Sequence, residues 1–228
     1  MKRFLLFLIT SAILLSNFQQ SKSQNLSLNY AFGTKANYFE SVLDLYKFDK
    51  YGRNLLLAVY NFNAPGNKSM SNAFFEYSRY VTLPILNNKI EATLQYSDAF
   101  GIGYANGQTW MAGFSYPIPI KNFTLNTDIL LKKSYNHDFG IKFRFAWWER
   151  YLNDKLCFAG YFDIWTTEKY NIFNERDGLK LVYHTEPALW YYVWDKLSLG
   201  AKFEFSYNLD PTVSGFVYRP KLGARWSF

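Results

Sequence analysis

The sequence predicts an all-β protein whose strands close into an antiparallel transmembrane β-barrel of about twelve strands. Three observations lead to this prediction. Apolar and polar residues alternate at every second position along most of the chain, aromatic residues make up 21% of it, and the mean hydropathy is nevertheless −0.20. Alternation with a period of two is typical of a strand that has a different environment on each face. Many rings in a polar chain suit a barrel with lipid outside and polar groups inside.

The N-terminal segment 1–23 is predicted to be a signal peptide, which leaves 24–228 as one barrel domain. Lys2 and Arg3 precede an apolar stretch over 4–15, and a polar stretch follows it, as in secretory signals. After this segment, no apolar run is long enough for a transmembrane helix. A chain that spans a membrane must then close its sheet, because lipid cannot satisfy the hydrogen bonds of an open edge.

Charge and cysteine content exclude several function classes. The 25 basic residues exceed the 18 acidic ones only mildly and form no dense basic cluster, so a nucleic-acid partner is not expected. Cys157 is the only cysteine in the sequence, which rules out an internal disulfide. Together with only two histidines, it cannot build a His/Cys zinc site, and we predict neither a metal ion nor a cofactor.

Twelve strands are predicted from the alternation and from the turn residues between them. They cover 25–32, 37–48, 54–63, 71–83, 89–99, 108–116, 123–132, 139–148, 155–166, 179–192, 197–207 and 215–228. Gly, Pro, Asn and Asp mark most of the connections, including a turn over 117–122, and the longest loop is predicted over 167–178. The alternation does not decide which faces of the third, fourth and sixth strands point inward.

The connections and the last strand favour an outer-membrane barrel over the edge strand of a soluble sandwich. An even number of strands puts both chain ends on one side, and the connections after even strands are predicted to be compact, as periplasmic turns are. The last strand places apolar residues on one face and Arg219, Lys221 and Arg225 on the other. Its terminal rings, Trp226 and Phe228, match the signal that the barrel-assembly machinery reads.

The polar faces of the strands are predicted to line the lumen, because a Lys or Arg facing lipid at mid-depth costs about 2–4 kcal/mol. Arg219 and Arg225 are expected to face the acids of the second, ninth and tenth strands. The candidates for lining the lumen and contacting a solute are Glu40, Asp44, Tyr46, Glu91, Asp128, Lys142, Arg144, Tyr161, Asp163, Trp165, His184, Glu186, Trp190, Lys202, Glu204, Arg219 and Arg225.

Several functions remain open for such a barrel. The favoured hypothesis is a channel with a mixed-charge, aromatic-lined lumen for small polar solutes. The main alternative is a plugged structural barrel, in which the same charges form an interior ion-pair network. A lipid hydrolase would need His137 or His184 beside a nucleophile, and isolated histidines make this a weaker hypothesis, so no enzyme is predicted. Short predicted loops argue against an adhesin.

Three segments carry a resemblance to a known family. The stretches 28–33 (LNYAFG), 185–191 (TEPALWY) and 219–228 (RPKLGARWSF) resemble an uncharacterised Gram-negative outer-membrane family that is itself similar to the Tsx nucleoside-specific channels. The resemblance implies a monomeric twelve-stranded channel embedded in outer-membrane lipid. By analogy it makes nucleosides the expected solute, although no individual nucleoside-binding position can be matched.

Overall fold

A computed structural model describes residues 23–33, 36–62, 70–101, 108–121, 123–135, 137–170, 176–209 and 215–228. The segment predicted to be the signal peptide lies outside them, apart from Ser23, which begins the first strand. The strands are β1 (Ser23–Ala31), β2 (Tyr38–Asp49), β3 (Gly52–Phe62), β4 (Met70–Thr82), β5 (Glu91–Gly101), β6 (Thr109–Ile120), β7 (Phe123–Ser134), β8 (Phe139–Tyr151), β9 (Leu156–Tyr170), β10 (Arg176–Thr185), β11 (Ala188–Tyr192), β12 (Leu197–Tyr207) and β13 (Phe216–Ser227). Within the described ranges, no helix is long and apolar enough to cross a membrane.

The strands form one closed antiparallel sheet. Each strand pairs with the next in the chain, except that β10 and β11 do not pair with each other, and β13 pairs with β1 over seven residue pairs, from Asn25 opposite Ser227 to Ala31 opposite Lys221. This last pairing joins the two ends of the sheet, so that the sheet has no edge strand.

The segments β10 and β11 are two halves of one strand. Glu186 and Pro187 separate them, yet both halves pair with β9 on one side and with β12 on the other, and the register is the same before and after the break. The Glu186 N–H still donates to the Tyr161 carbonyl at 3.2 Å, and the Pro187 carbonyl accepts from Phe203 N–H at 2.9 Å. Proline has no N–H to donate, which explains the local break. The barrel therefore has twelve strands, which confirms the predicted fold class.

Inner and outer faces follow the alternation. In β13 the rings of Phe216, Tyr218 and Trp226 are exposed on the outside, whereas Arg219 and Arg225 are buried inside. The register carries the same division around the barrel and settles the three strands that the sequence left open. The inward residues of β3, β4 and β6 are the odd-numbered residues from Arg53 to Asn61, the even-numbered residues from Asn72 to Tyr80 and the odd-numbered residues from Thr109 to Ser115.

Two predicted connections are wrong because they contain strand. The segment predicted as the longest loop, 167–178, is strand over 167–170 and 176–178, because β9 and β10 pair as far as Tyr170 opposite Arg176, and 171–175 lies outside the described residues. The predicted turn over 117–122 is also mostly strand, since Pro117 and Pro119 belong to β6 and lie opposite β7. Prolines are tolerated there because β5 begins at Glu91, opposite Ser115, so that this end of β6 has a free edge.

One end of the barrel, which we call the turn end, carries the connections after β2, β4, β6, β8 and β11, and both ends of the sheet, Ser23 and Ser227, lie with them. The connections after β2, β6, β8 and β11 have two to four residues, as predicted, but the connection after β4 spans 83–90, so its predicted compactness is wrong. Length alone does not separate the two ends, since the connection after β7 at the opposite end spans only 135–138. The opposite end is called the loop end. Two turns share a sequence pattern, LNNK over 86–89 and LNDK over 152–155, and in both the first three residues have positive φ. Asn and Asp tolerate this backbone region, which explains the shared conformation.

Replacing Gly113 with Ala is expected to destabilise the barrel, because a Cβ at this position would overlap the backbone carbonyl of Ile129 on β7. Forcing the two strands apart should cost about 1–3 kcal/mol. Urea unfolding of the protein in liposomes measures the change. The matched control is Ala112→Val on the exposed outer face, where added methyl groups meet no such obstacle. Equal stability of both variants would contradict the close approach.

Candidate functional site

The inside of the barrel contains a group of six ionised side chains, here called the six-charge cluster: Glu40, Glu186, Glu204, Lys202, Arg219 and Lys221. Lys221 Nζ lies 2.5 Å from Glu40, 2.5 Å from Glu186 and 3.2 Å from Glu204. Lys202 bridges Glu186 at 2.5 Å and Glu40 at 3.1 Å. Arg219 pairs with Glu204 at 2.9 Å. Three acids and three bases thus neutralise one another across the seam where β13 meets β1.

A second group spans the interior more directly. Arg144 on β8 contacts Glu76 on β4 at 2.5 Å and Asp163 on β9 at 2.9 Å, and Lys142 contacts Asp163 at 2.8 Å. Strands β4 and β8 are four steps apart around the sheet. The Arg144–Glu76 ion pair therefore crosses the inside of the barrel, and we call it the cross-barrel bridge.

Hydrogen bonds continue this network toward the turn end. Tyr80 on β4 donates to Asp128 on β7 at 2.8 Å, and Gln95 donates to the same carboxylate at 3.3 Å. Arg53 lies over the Tyr80 ring at 4.1 Å and pairs with Glu91 at 2.7 Å. These contacts join strands β3, β4, β5 and β7, so the turn-end half is also connected across the lumen.

The remaining candidate residues also lie on the inward face. Tyr161 and His184 are in contact, with the phenol oxygen 3.3 Å from the ring nitrogens. Trp165 lies 5.7 Å from Lys142 Nζ. Asp44 accepts a hydrogen bond from Asn25 at 2.6 Å, and the Tyr46 ring packs edge-on against Phe48.

At the turn end, one arginine is surrounded by rings. The Arg225 guanidinium lies 4.8 Å from the Trp190 ring, 5.5 Å from Tyr192 and 5.8 Å from Trp148. It donates to the Tyr192 hydroxyl at 3.1 Å and to the Ser198 hydroxyl at 3.2 Å.

The charged side chains inside the barrel are buried against one another. Glu40, Lys221 and Asp163 each have a relative exposure of 3%. A wide water column would leave such side chains accessible, so the lumen in this conformation is occluded at mid-height. The groups that occlude it are side chains of the barrel strands themselves.

Sequence reasoning placed all seventeen candidate residues on the polar face, but it missed several that carry the network. Lys221 lies on the same face of the last strand as the candidates Arg219 and Arg225, so the alternation of the sequence already indicated that it faces inward. Arg53 lies on β3, and Glu76 and Tyr80 lie on β4. The sequence of these two strands did not show which residues face inward. The partners also differ from the expected ones. Arg219 pairs with Glu204 on the adjacent strand, and the cations that reach Glu40 and Glu186 are Lys202 and Lys221.

The two histidines show no catalytic arrangement in the contacts that are described. The His184 nitrogens contact Tyr161 at 3.3 Å and Glu204 at 4.0 Å. His137 Nδ1 lies 2.8 Å from Glu168 at the loop end. In the described part of the chain, no three His, Cys, Asp or Glu side chains are grouped so that they could hold a metal ion.

The sequence over 23–228 matches the family described as Domain of unknown function (DUF5020), and the chain belongs to this family. No curated protein matches the sequence. Among solved structures, the chain is similar to the NanC porin, with a TM-score of 0.57 at 11% identity over 90% of this chain and 100% of that one. It is also similar to the KdgM porin in complex with disordered oligogalacturonate, with a TM-score of 0.52 at 8% identity over 90% and 99% of the two chains.

A third similar structure is an outer membrane channel from Pseudomonas putida F1. It has a TM-score of 0.52 at 9% identity, and the match covers 90% of this chain and 95% of that one. At these identities the likeness concerns the fold, which is the barrel fold of outer-membrane porins.

Replacing Lys221 with Met should destabilise the barrel by about 3–5 kcal/mol, because three buried carboxylates would lose their shared cation. Urea unfolding in liposomes measures the loss. The control is Lys169→Met, which breaks an ion pair with Asp177 whose side chains are each 55% exposed. Such a pair contributes about 1 kcal/mol at most. A Lys221 variant no less stable than the control would show that the cluster is not a stabilising unit.

Proposed function

We propose that the protein is an outer-membrane channel for passive uptake of small polar solutes, with the six-charge cluster and the cross-barrel bridge as its constriction. The observation that carries this proposal is that charged side chains from several strands meet across the lumen and close it. In the described ranges, the groups that meet at the centre belong to strands β2, β4, β8, β9, β12 and β13 and to Glu186 between β10 and β11. Side chains can change rotamer without any change in the barrel.

The fold supports this proposal. Eight strands enclose just enough room for side chains, and twelve enclose more, so an aqueous path is geometrically available. Permeation also needs contacts that are weak and repeated, so that a solute enters without being trapped. Charges and the rings of Trp165 and Tyr161 on the inward face supply such contacts.

The solute is proposed to be a small molecule with a ring. Nucleosides follow from the resemblance to Tsx-like channels, and stacking of a base on an aromatic side chain contributes about 1–3 kcal/mol in other proteins. Sugars are the second class, because the similar KdgM structure is a complex with an oligogalacturonate. Transport requires no catalysis, and none of the named residues is given a catalytic role.

The location and partners are part of the same proposal. The N-terminal segment exports the chain, the barrel lies as a monomer in outer-membrane lipid, and the turn end faces the periplasm. Trp226 is exposed on the outer face, and Phe228 N–H donates to the Gln24 carbonyl at 3.0 Å beside the seam. Both rings are thus presented where the barrel-assembly machinery would read them.

One observation favours a second candidate function. The ion pairs of the six-charge cluster are buried, and breaking buried pairs is costly. If they do not open, the protein is a plugged structural barrel that conducts nothing.

Conductance measurements separate the two candidates. Purified protein in a planar bilayer is expected to give small conductance steps that ring-bearing solutes block. Swelling of liposomes with a panel of nucleosides, sugars and amino acids then ranks the solutes. A folded protein that inserts and stays silent in both assays would favour the plugged barrel.

Shortening the cross-barrel bridge should enlarge the conductance. In Arg144→Ser the link to Glu76 is lost and the central side-chain volume falls, so we expect larger single-channel steps and a shift toward cation selectivity. The control is Arg79→Ser, which breaks an exposed ion pair with Asp49 at the turn end. Both variants must first show the shift in gel mobility on heating that marks a folded barrel. An unchanged Arg144→Ser conductance would mean that the bridge does not limit the path.

A further inference from the structure

The turn-end mouth contains two arginines that share one hydroxyl group. Arg225 Nη2 donates to the Tyr192 hydroxyl at 3.1 Å, and Arg150 Nη2 donates to the same oxygen at 3.4 Å. Arg150 also lies over the Tyr192 ring at 5.2 Å. Two guanidinium groups are thus bridged by a single hydroxyl oxygen, although like charges repel.

No carboxylate forms an ion pair with either arginine in the described part of the chain, although Arg225 interacts electrostatically with Asp44 on β2. Other inward arginines, such as Arg53 and Arg144, have a carboxylate within 4.0 Å. Among the described residues, neither Arg150 nor Arg225 has a carboxylate within that distance. Arg225 is nevertheless only 5% exposed. A buried cation without an ion-pair partner is costly, and an anion from solution would offset that cost.

The nearby acids are held elsewhere or point into solvent. Asp44, the inward carboxylate of β2 at this end, accepts from Asn25 at 2.6 Å. Glu149 accepts from the Thr124 N–H at 2.8 Å. Asp154 and Asp195 lie exposed in the adjacent turns.

The free hydrogen-bonding capacity of the mouth fits an oxyanion. Tyr192 accepts from both arginines, so its own O–H proton remains to be donated, and the described residues supply no acceptor for it. The hydrogen bonds of Arg225 use Nε and Nη2, which leaves Nη1 without a described partner. Guanidinium edges match carboxylate and phosphate groups geometrically.

A ring face stands beside this group. Trp148 is on the inward side of β8 but is 40% exposed, unlike Trp190 at 3%. It lies 5.8 Å from the Arg225 guanidinium. A solute whose oxyanion contacts the arginines would therefore have an accessible indole face for its ring.

We propose that this mouth is a binding site for a small anionic solute that carries a carboxylate or phosphate group on a ring. Arg150, Arg225 and the Tyr192 hydroxyl bind the oxyanion, and Trp148 stacks against the ring. The proposal narrows the solute class of the proposed channel to anions, and in that respect it rests on the proposed function. The binding site itself needs no open lumen.

The test measures binding to the purified full-length barrel in detergent micelles, by calorimetry and by tryptophan fluorescence. The probes are two pairs that differ in charge: glucuronate against glucose, and uridine monophosphate against uridine. We expect the charged member to bind about ten-fold or more tightly than the neutral one in at least one pair. Preferential binding of glucuronate over glucose would indicate that the site binds a carboxylate, and preferential binding of uridine monophosphate over uridine would indicate a phosphate.

Variants locate the site. Arg150→Gln, at an exposed position, and Tyr192→Phe are each expected to weaken binding of the charged probe about ten-fold. The control is Lys155→Gln, which removes one positive charge from an exposed turn at the same end and should leave the affinity unchanged. Equal binding of charged and neutral probes, or an Arg150→Gln affinity equal to that of the control, would overturn the proposal.

The outcome is separable from that of the channel. Binding of the anions by a barrel that gives no conductance would refute the proposed function and leave the site in place. Conductance without preferential anion binding would refute the site and leave the channel in place.

Discussion

The pairing of β13 with β1 is the interaction on which the rest of the structure depends. A sheet in lipid cannot leave a row of backbone N–H and C=O groups unpaired, so the barrel exists only when its first and last strands meet. Seven residue pairs make this seam. Once the seam is formed, the pleat sends alternate side chains inward along every strand, and the period-two pattern of the sequence becomes an apolar outside and a charged inside.

The charged side chains inside the barrel are then removed from water. Acids and bases that leave water together need partners within contact distance, and the six-charge cluster and the cross-barrel bridge provide them. The pairing is not uniform. It is complete at mid-height and incomplete at the turn end, where Arg150 and Arg225 share a tyrosine instead of an acid. This contrast divides the lumen into a closed middle and a mouth with unused binding capacity.

The fold could be predicted from the sequence because the membrane imposes a strict alternation that single residues report. The facing of β13 is evident from Phe216, Arg219 and Trp226 alone. Contacts across the lumen could not be predicted in the same way. The Arg144–Glu76 pair joins residues 68 apart in the chain, and alternation says that both point inward but not that they meet. Whether two inward side chains meet depends on the shape of the closed barrel. In β3 and β4 the sequence does not even show a clear alternation of apolar and polar residues.

The six-charge cluster also bears on how the barrel forms. Lys221 and Glu40 are 181 residues apart, near opposite ends of the sheet, so they meet only when the seam closes. Until then both remain hydrated. Closure of the seam must remove that water in the same step that joins the two strands most distant in the chain. This step also has the largest entropic cost of loop closure. The last stage of assembly is therefore expected to be slow and sensitive to ionic strength, whereas hairpin formation between neighbouring strands is not.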